Sequence, residues 1–240
     1  MLKIKNLKVR LGSFLLRANF TIMSGEKIAI IGPSGGGKST LLSTIAGFIK
    51  QESGEIYYFN QNFYGIPPSK LPCTLVFQDN NLFPHLDIFQ NVALGINPRL
   101  NLSKFEKEFV LNCIEKVGLL PHMSKTPNML SGGQISRVAL ARALLREQPI
   151  LMLDEAFSAL GPALRLEMLD FLKDILSSST TSLLMVTHDP RDASYIADKI
   201  IFVSNGKASP PKQKEAFFAK PASEVREYLG SEKLNFNQSK

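Results

Sequence analysis

Cysteine is scarce in this chain of 240 residues, which contains only Cys73 and Cys113. The two lie far apart, without CxxC spacing and without a histidine cluster nearby, so neither a disulfide framework nor a structural metal site is expected. A chain of this length can bury a large core without such cross-links. We interpret both cysteines as reduced thiols of a cytosolic protein.

Long apolar stretches are also lacking. No segment approaches the ~20 consecutive apolar residues that a membrane-spanning helix requires. The first residues, Met1–Leu7, alternate apolar and polar side chains like a strand, and do not resemble the apolar stretch of a signal peptide. The sequence therefore predicts a cytoplasmic chain whose link to a membrane, if it has one, passes through another protein.

Basic residues outnumber acidic ones and give a formal net charge of +7. They are scattered along the chain and often stand near Asp or Glu, a pattern that favours a solvated basic surface over a concentrated binding patch. No nucleic-acid partner is predicted.

Short apolar runs alternate with helical patterns through most of the sequence. The runs are Lys27–Ile31, Leu75–Phe77, Ile150–Leu153, Ser182–Thr187 and Lys199–Val203. Nearly continuous apolar strands of this length are typical of a parallel sheet covered on both faces. The sequence therefore predicts an α/β core.

Two further regions differ from this core. The segments Leu2–Val9, Leu15–Met23 and Gly54–Asn60 indicate an antiparallel β lobe at the start of the chain. Between about 80 and 130 the strand pattern is replaced by helical patterns, including a capping box from Ser103 to Glu106. We predict one domain over 1–230 with a helical lobe inserted at about 80–130, and a disordered tail over 231–240.

A phosphate-binding loop is the strongest motif. The pattern G-x-x-x-x-G-K-[ST] follows a predicted strand and precedes a predicted helix over 41–48, and it comprises Gly32, Pro33, Ser34, Gly35, Gly36, Gly37, Lys38, Ser39 and Thr40. Glycines let backbone N–H groups turn toward phosphate oxygens at a helix N-terminus. Lys38 adds a positive charge for the β- and γ-phosphates, and the Ser39 hydroxyl is a candidate Mg²⁺ ligand.

Two acids end the predicted strand over 150–153. Asp154 and Glu155 are expected at the carboxyl edge of a parallel sheet, the edge that also carries the phosphate-binding loop. Asp154 is a candidate Mg²⁺ ligand. Glu155 is the next residue, so its side chain is expected to point in a different direction from that of Asp154, and it is a candidate general base for the attacking water.

A second candidate anion site precedes the next helix. The pentapeptide from Leu130 to Gln134 comprises Leu130, Ser131, Gly132, Gly133 and Gln134. A serine and two glycines at a helix N-terminus suit either a phosphate or a simple helix cap. As a phosphate site, it would contact the γ-phosphate of an ATP that the phosphate-binding loop of a second copy of the chain holds. Each ATP would then lie between two chains.

Taken in order along the chain, these motifs resemble the ABC-transporter ATPase family. The resemblance covers essentially the whole chain and implies a P-loop fold that works as a head-to-tail dimer on Mg-ATP. It also implies that Gln78 contacts Mg²⁺ and senses the membrane partner, and that His188 contacts the γ-phosphate. We expect a membrane subunit to dock on the helical lobe together with the turn from Gln78 to Leu86.

Within the family, three segments are similar to the branch that imports thiamine into Gram-negative bacteria: 78–85, 94–99 and 146–155. That resemblance implies uptake of thiamine or its phosphates through a separate permease, with a periplasmic substrate-binding protein as an indirect partner. It also implies a peripheral position at the cytoplasmic face of the inner membrane.

Four positions depart from the family pattern. Val9 and Leu11 stand where an aromatic residue usually stacks on adenine, and Phe14 is the nearest ring in the sequence. The pair Ile135-Ser136 stands where the family favours Arg-Gln, which removes a positive charge near the second phosphate site. Ala156 replaces the usual proline.

The fourth departure is Gly161, which replaces an aspartate that links the two nucleotide sites of the dimer. The other residues of the nucleotide machinery remain: Lys38, Ser39, Gln78, Asp154, Glu155 and His188. We therefore predict slower or less cooperative hydrolysis and not an inactive subunit.

Three alternatives stay open from sequence alone. One is import of another solute, such as iron, sulfate or a polyamine. Another is a soluble ABC ATPase that acts on DNA or ribosomes, although the duplicated ATPase or long coiled coil usual there is not visible in this sequence. The third is a catalytically weakened nucleotide-binding subunit.

Overall fold

The computed structural model describes residues 1–79, 81–177 and 179–230. The strands are β1 Leu2–Leu11, β2 Phe14–Ile22, β3 Lys27–Ile31, β4 Ser53–Tyr58, β5 Gln61–Asn62, β6 Thr74–Val76, β7 Ile150–Asp154, β8 Ser182–Val186, β9 Lys199–Ser204, β10 Lys207–Ala208 and β11 Lys212–Gln213. The helices are α1 Lys38–Ile45, α2 Ile88–Ala93, α3 Lys104–Lys116, α4 Gly132–Leu144, α5 Pro162–Ser177, α6 Pro190–Ile196, α7 Lys214–Ala219 and α8 Ser223–Leu229. The tail predicted to be disordered, 231–240, lies outside the described residues.

The chain forms two compact units. The first unit is Met1–Pro72 together with the chain from Thr180 onward, and the second unit is Cys73–Ser179. In the first unit the strand order is β5-β4-β1-β2-β10-β9-β3-β8. Strands β1, β2, β4 and β5 pair antiparallel, whereas β8, β3 and β9 are parallel. The first unit therefore joins the predicted antiparallel lobe to a parallel core.

The strands of the parallel core and those of the antiparallel lobe differ in burial, as their sequences predict. In β3, Ile28 to Ile31 are all fully buried, as expected for a central strand covered on both faces. In β1 the buried positions change parity, because the register shifts between Ile4 and Leu7, where Asn6 has a positive φ of 44°. This bulge returns Leu7 and Val9 to the buried face.

The second unit is mainly helical. Strands β6 and β7 pair in parallel, with Val76 opposite Leu153. Its core is built from α2, α3 and α4 and includes Ile88, Val92, Val110, Ile114, Val117, Val138 and Ala141. The predicted capping box is confirmed, since the Ser103 hydroxyl accepts from Glu106 N at 3.2 Å and Glu106 accepts from Ser103 N at 2.7 Å. Among residues 81–130, all of which are described, no strand occurs.

Several element boundaries differ from the sequence prediction, and those of α1 differ most. Helix α1 spans Lys38–Ile45 instead of 41–48, because Gly47, with φ of 78°, ends it, and the Phe48 N–H then turns back to Ser43 O. Strand β6 lies one residue earlier than predicted, at Thr74–Val76.

Both cysteines are free thiols, as predicted. Burial raises the pKa of Cys73 to about 12 and that of Cys113 to about 11, so both remain protonated at neutral pH. In the described part of the chain, no helix has both the length and the apolar character needed to cross a membrane.

Candidate nucleotide site

The loop between β3 and α1 packs tightly against the end of β9. A Cβ atom at Gly32 would lie 2.0 Å from Val203 O, and one at Gly36 would lie 2.7 Å from the same oxygen. Gly36 N donates to Pro33 O at 3.1 Å, and Gly36 O accepts from Gly206 N at 3.1 Å. Only glycine fits at these two positions, so the loop keeps a fixed, open backbone in front of α1.

Lys38 is the first residue of α1 and is only 6% exposed. Its Nζ donates to Gly32 O at 2.9 Å and to Pro33 O at 3.0 Å. A buried ammonium group is tolerated when it is hydrogen-bonded, and here the loop itself supplies the acceptors. The exposed Ser39 follows in the first helical turn. A cation surrounded by backbone amides at a helix N-terminus fits the phosphates of a nucleotide.

His188 leaves the neighbouring strand at the same edge of the sheet. Strands β3 and β8 are parallel, and Thr187 N donates to Ile30 O at 3.2 Å. The Thr187 hydroxyl donates to the buried Asp192 Oδ2 at 3.2 Å, which fixes the segment after β8. The exposed His188 side chain therefore starts from the edge that carries the phosphate-binding loop.

In the second unit, Asp154, Glu155 and Gln78 lie at the carboxyl edge of the parallel strands β6 and β7. Asp154 ends β7 and is 9% exposed, while Gln78 lies two residues beyond β6, which is the parallel neighbour of β7. Glu155 has a positive φ of 51°. A non-glycine residue in the left-handed region is uncommon, and such backbone strain concentrates at functional sites.

The pentapeptide at the start of α4 forms the helix cap that was one of the two functions considered from its sequence. The Ser131 hydroxyl accepts from Gln134 N at 3.3 Å, and Gln134 Oε1 accepts from Ser131 N at 3.0 Å. These two side chains thus form a capping box, a structural role that the sequence left open. A phosphate would instead meet the backbone at Gly132 and Gly133. A Cβ at Gly133 would lie 2.6 Å from Leu164 Cδ2, so α5 packs closely there.

The positions that depart from the family pattern have distinct surroundings. Val9 is fully buried and cannot stack on a base. The Phe14 ring lies beside the phosphate-binding loop, since a Cβ at Gly37 would be 2.9 Å from its Cζ. Ala156 is buried. At Gly161 a Cβ would meet nothing within 4 Å, so nothing in the structure requires glycine there.

The sequence reasoning missed Asn91, which is fully buried in α2. Its Nδ2 donates to Phe83 O at 3.1 Å, Leu86 O at 2.9 Å and Asp87 O at 3.0 Å, and its Oδ1 accepts from Phe83 N at 2.9 Å. One side chain therefore organises the turn 83–87. The available signal was a polar residue on the apolar face formed by Ile88 and Val92.

Arg142 of α4 holds the preceding part of this segment. Its Nη1 donates to Asn81 O at 2.9 Å. Burial lowers the pKa of this guanidinium, which still stays charged at neutral pH. The segment between Gln78 and α2 is thus tied to the helix that begins with the pentapeptide.

Comparison with known proteins agrees with this geometry. Residues 15–158 match the ABC transporter family. The chain is 47% identical over 230 residues to the thiamine import ATP-binding protein ThiQ of Cereibacter sphaeroides, which covers 96% of this chain and 100% of that protein.

Solved structures show the same fold. One is an ATP-binding cassette in a dimeric post-hydrolysis state bound to ADP and Pi, with a TM-score of 0.76, 29% identity and coverage of 89% of this chain and 99% of that one. Another is cbiO1 from Clostridium perfringens, part of the ABC transporter complex cbiONQ, with a TM-score of 0.80, 28% identity and coverage of 91% and 90%. The predicted P-loop α/β fold is confirmed, and the chain belongs to the ABC transporter family.

Proposed function

We propose that this chain hydrolyses ATP to drive the uptake of thiamine or its phosphates through a separate membrane permease. The observation that carries the ATPase assignment is the buried Lys38, held by Gly32 O and Pro33 O at the strand–helix junction. The solute assignment is supported by the full-length similarity to thiamine import ATP-binding proteins. Residues 1–230 would act as one ATPase domain.

The proposed site divides the work among the residues already described. The loop Gly32 to Thr40 binds the phosphates, with Lys38 at the β- and γ-phosphates. Ser39, Asp154 and Gln78 would hold Mg²⁺, since hydroxyl, carboxylate and amide oxygens are ligands suited to this ion. When bound, Mg²⁺ neutralises phosphate charge and orients the nucleotide.

Glu155 is proposed as the general base. Its carboxylate would accept a proton from the attacking water, and His188 would contact the γ-phosphate. The backbone N–H groups of the loop and Lys38 would stabilise the negative charge on the phosphate oxygens in the transition state.

A second copy of the chain is proposed to complete the site. Gly132 and Gly133 of one copy would meet the γ-phosphate bound by the other copy, in a head-to-tail homodimer. The dimeric state of a related cassette supports this arrangement. A periplasmic binding protein would act indirectly, and the chain would lie peripherally at the cytoplasmic face of the inner membrane.

The solute is tested by ATP turnover of the chain assembled with its permease. We expect a thiamine-loaded periplasmic binding protein to raise phosphate release at least about fivefold, the lower end of typical coupling between sites. The same binding protein without thiamine serves as the control. Turnover that does not respond to thiamine would be consistent with the ATPase assignment but would contradict thiamine as the transported solute.

Gly161→Asp tests whether the missing carboxylate slows this ATPase. Since no atom would contact the new Cβ and Gly161 is exposed, the melting temperature should stay within roughly 2 °C. We expect turnover or its cooperativity toward ATP to increase, by up to about fivefold in rate. Gly161→Asn, which has the same shape without the charge, should not produce the increase. An equal effect of both variants would contradict a role for the charge.

A further inference from the structure

A cavity lies in the first unit, between β9, β11 and the helices α7 and α8. Its volume is about 640 Å³, which is within the range of small-molecule sites. Its floor is apolar and includes Phe202, Phe217 and Val225, each at most 7% exposed. The two phenylalanine rings lie 6.5 Å apart between centroids. Such a floor suits a flat ring.

The rim of this cavity is basic. Arg17, Lys207 and Lys212 line it, against a single carboxylate, Glu224. Arg17 and Lys207 are direct partners in the parallel pairing of β2 and β10, so their side chains leave the same face. Within the described ranges, none of the three cations forms an ion pair. The rim is therefore complementary to an anion.

The walls are held in place before any ligand binds. Pro210, Pro211 and Pro221 contribute to the lining, and proline restricts backbone motion. Ser209 fixes the wall to the floor, because its hydroxyl accepts from Phe202 N at 2.9 Å and its N–H donates to Phe202 O at 2.9 Å. A preformed cavity lowers the entropic cost of binding.

The cavity contacts the phosphate-binding loop through the turn 204–206, which forms part of its lining. Gly206 N donates to Gly36 O at 3.1 Å, and Gly206 O accepts from Arg17 N at 2.7 Å. A ligand that draws Arg17 and Lys207 toward an anion would therefore pull on the turn that holds Gly36.

A second connection reaches His188. The Phe202 ring on the floor makes an edge contact with Tyr228, with centroids 5.7 Å apart. The Tyr228 hydroxyl donates to His188 O at 3.1 Å. The lining residue Gly206 thus contacts the phosphate-binding loop directly, and Tyr228 connects the lining residue Phe202 to His188.

We propose that this cavity is a regulatory site for a small organic phosphate that carries a flat ring, and that its occupation weakens ATP binding at the phosphate-binding loop. In the choice of ligand this inference rests on the proposed function, which makes thiamine diphosphate the compound to test. By linkage, ATP must weaken binding of that ligand by the same factor.

The test is calorimetric titration of thiamine diphosphate into the full chain and into the double variant Lys207→Glu/Lys212→Glu. We expect at least tenfold weaker binding to the double variant. Lys220→Glu, an exposed charge reversal outside the cavity lining, should bind within twofold of the unmodified chain. Thiamine, which lacks the phosphates, and pyrophosphate, which lacks the ring, should each bind at least tenfold more weakly than thiamine diphosphate.

The proposal is overturned if thiamine diphosphate does not bind at millimolar concentration, or if the double variant binds it equally well. Binding lost in Lys38→Ala but kept in the double variant would assign it to the nucleotide loop and would also overturn the site. The same preparations are tested for thiamine-stimulated ATP turnover. If thiamine stimulates turnover but thiamine diphosphate does not bind, only the proposed regulatory site is contradicted. If thiamine diphosphate binds but thiamine does not stimulate turnover, only the proposed transported solute is contradicted.

Discussion

Replacing Glu155 with glutamine is expected to lower ATP turnover by roughly 10²–10⁴-fold while ATP still binds, because glutamine cannot accept the proton of the attacking water. The amide has nearly the same shape as the carboxylate, so the left-handed backbone at this position, with φ of 51°, and the buried strand before it should persist. Phosphate release and ATP affinity, measured on the same protein, separate the chemical step from binding.

A matched control exists in the same unit. Glu147 is exposed and also has a positive φ, 47°, so Glu147→Gln makes the same chemical change on the same kind of backbone. It should keep turnover within about twofold, as expected for a surface substitution away from the site. If Glu155→Gln retained more than a tenth of the turnover, another group would have to serve as the base.

The second large effect is expected at Asn91. Asn91→Leu removes four hydrogen bonds from the partly buried turn 83–87. Leu86 O loses the Asn91 donor, whereas Phe83 O and Asp87 O still accept from backbone N–H groups. A lost hydrogen bond costs about 0.5–1.5 kcal/mol and an unsatisfied polar group about 1–3 kcal/mol, so we expect the free energy of unfolding to fall by about 2–3 kcal/mol. Urea titration measures this change. Asn112→Leu, at an exposed position of α3, should change it by less than about 0.5 kcal/mol.

The same turn offers a variant that separates docking from stability. Phe83, which is 46% exposed, belongs to the proposed docking segment for the permease. Phe83→Glu should leave unfolding unchanged within about 0.5 kcal/mol and abolish transport-coupled turnover. Phe105→Glu, at a 77% exposed ring on α3, should spare both. If the Phe83→Glu variant supports unaltered uptake, the proposal that the permease docks at this turn is contradicted.

The sequence predicted those features that depend on neighbours along the chain. Strand β3 was found with its observed ends because a continuous apolar run is itself the signal. The cap of α3 was found because Ser103 and Glu106 are three residues apart. The end of α1 was misplaced because Gly47, and not the apolar pattern, decides it.

The features that escaped prediction join residues that are distant in sequence. The hydrogen bond from Gly206 to Gly36 joins the turn after β9 to the phosphate-binding loop, and the bond from Tyr228 to His188 links residues 40 positions apart. No local pattern contains such a pair. Asn91 lay within reach of sequence reasoning, since a polar residue on an apolar helix face requires partners, but which backbone groups it holds depends on how the turn folds.

The capping box at Ser131 and Gln134 affects how genetic results on this segment are read. Each side chain helps to start α4, and losing a helix N-cap costs about 1 kcal/mol. A substitution there therefore changes the amount of folded protein as well as any contact with nucleotide. Alleles at these two positions should be temperature-sensitive for growth on limiting solute, and a loss of function seen only in warm cultures would not by itself identify a phosphate contact.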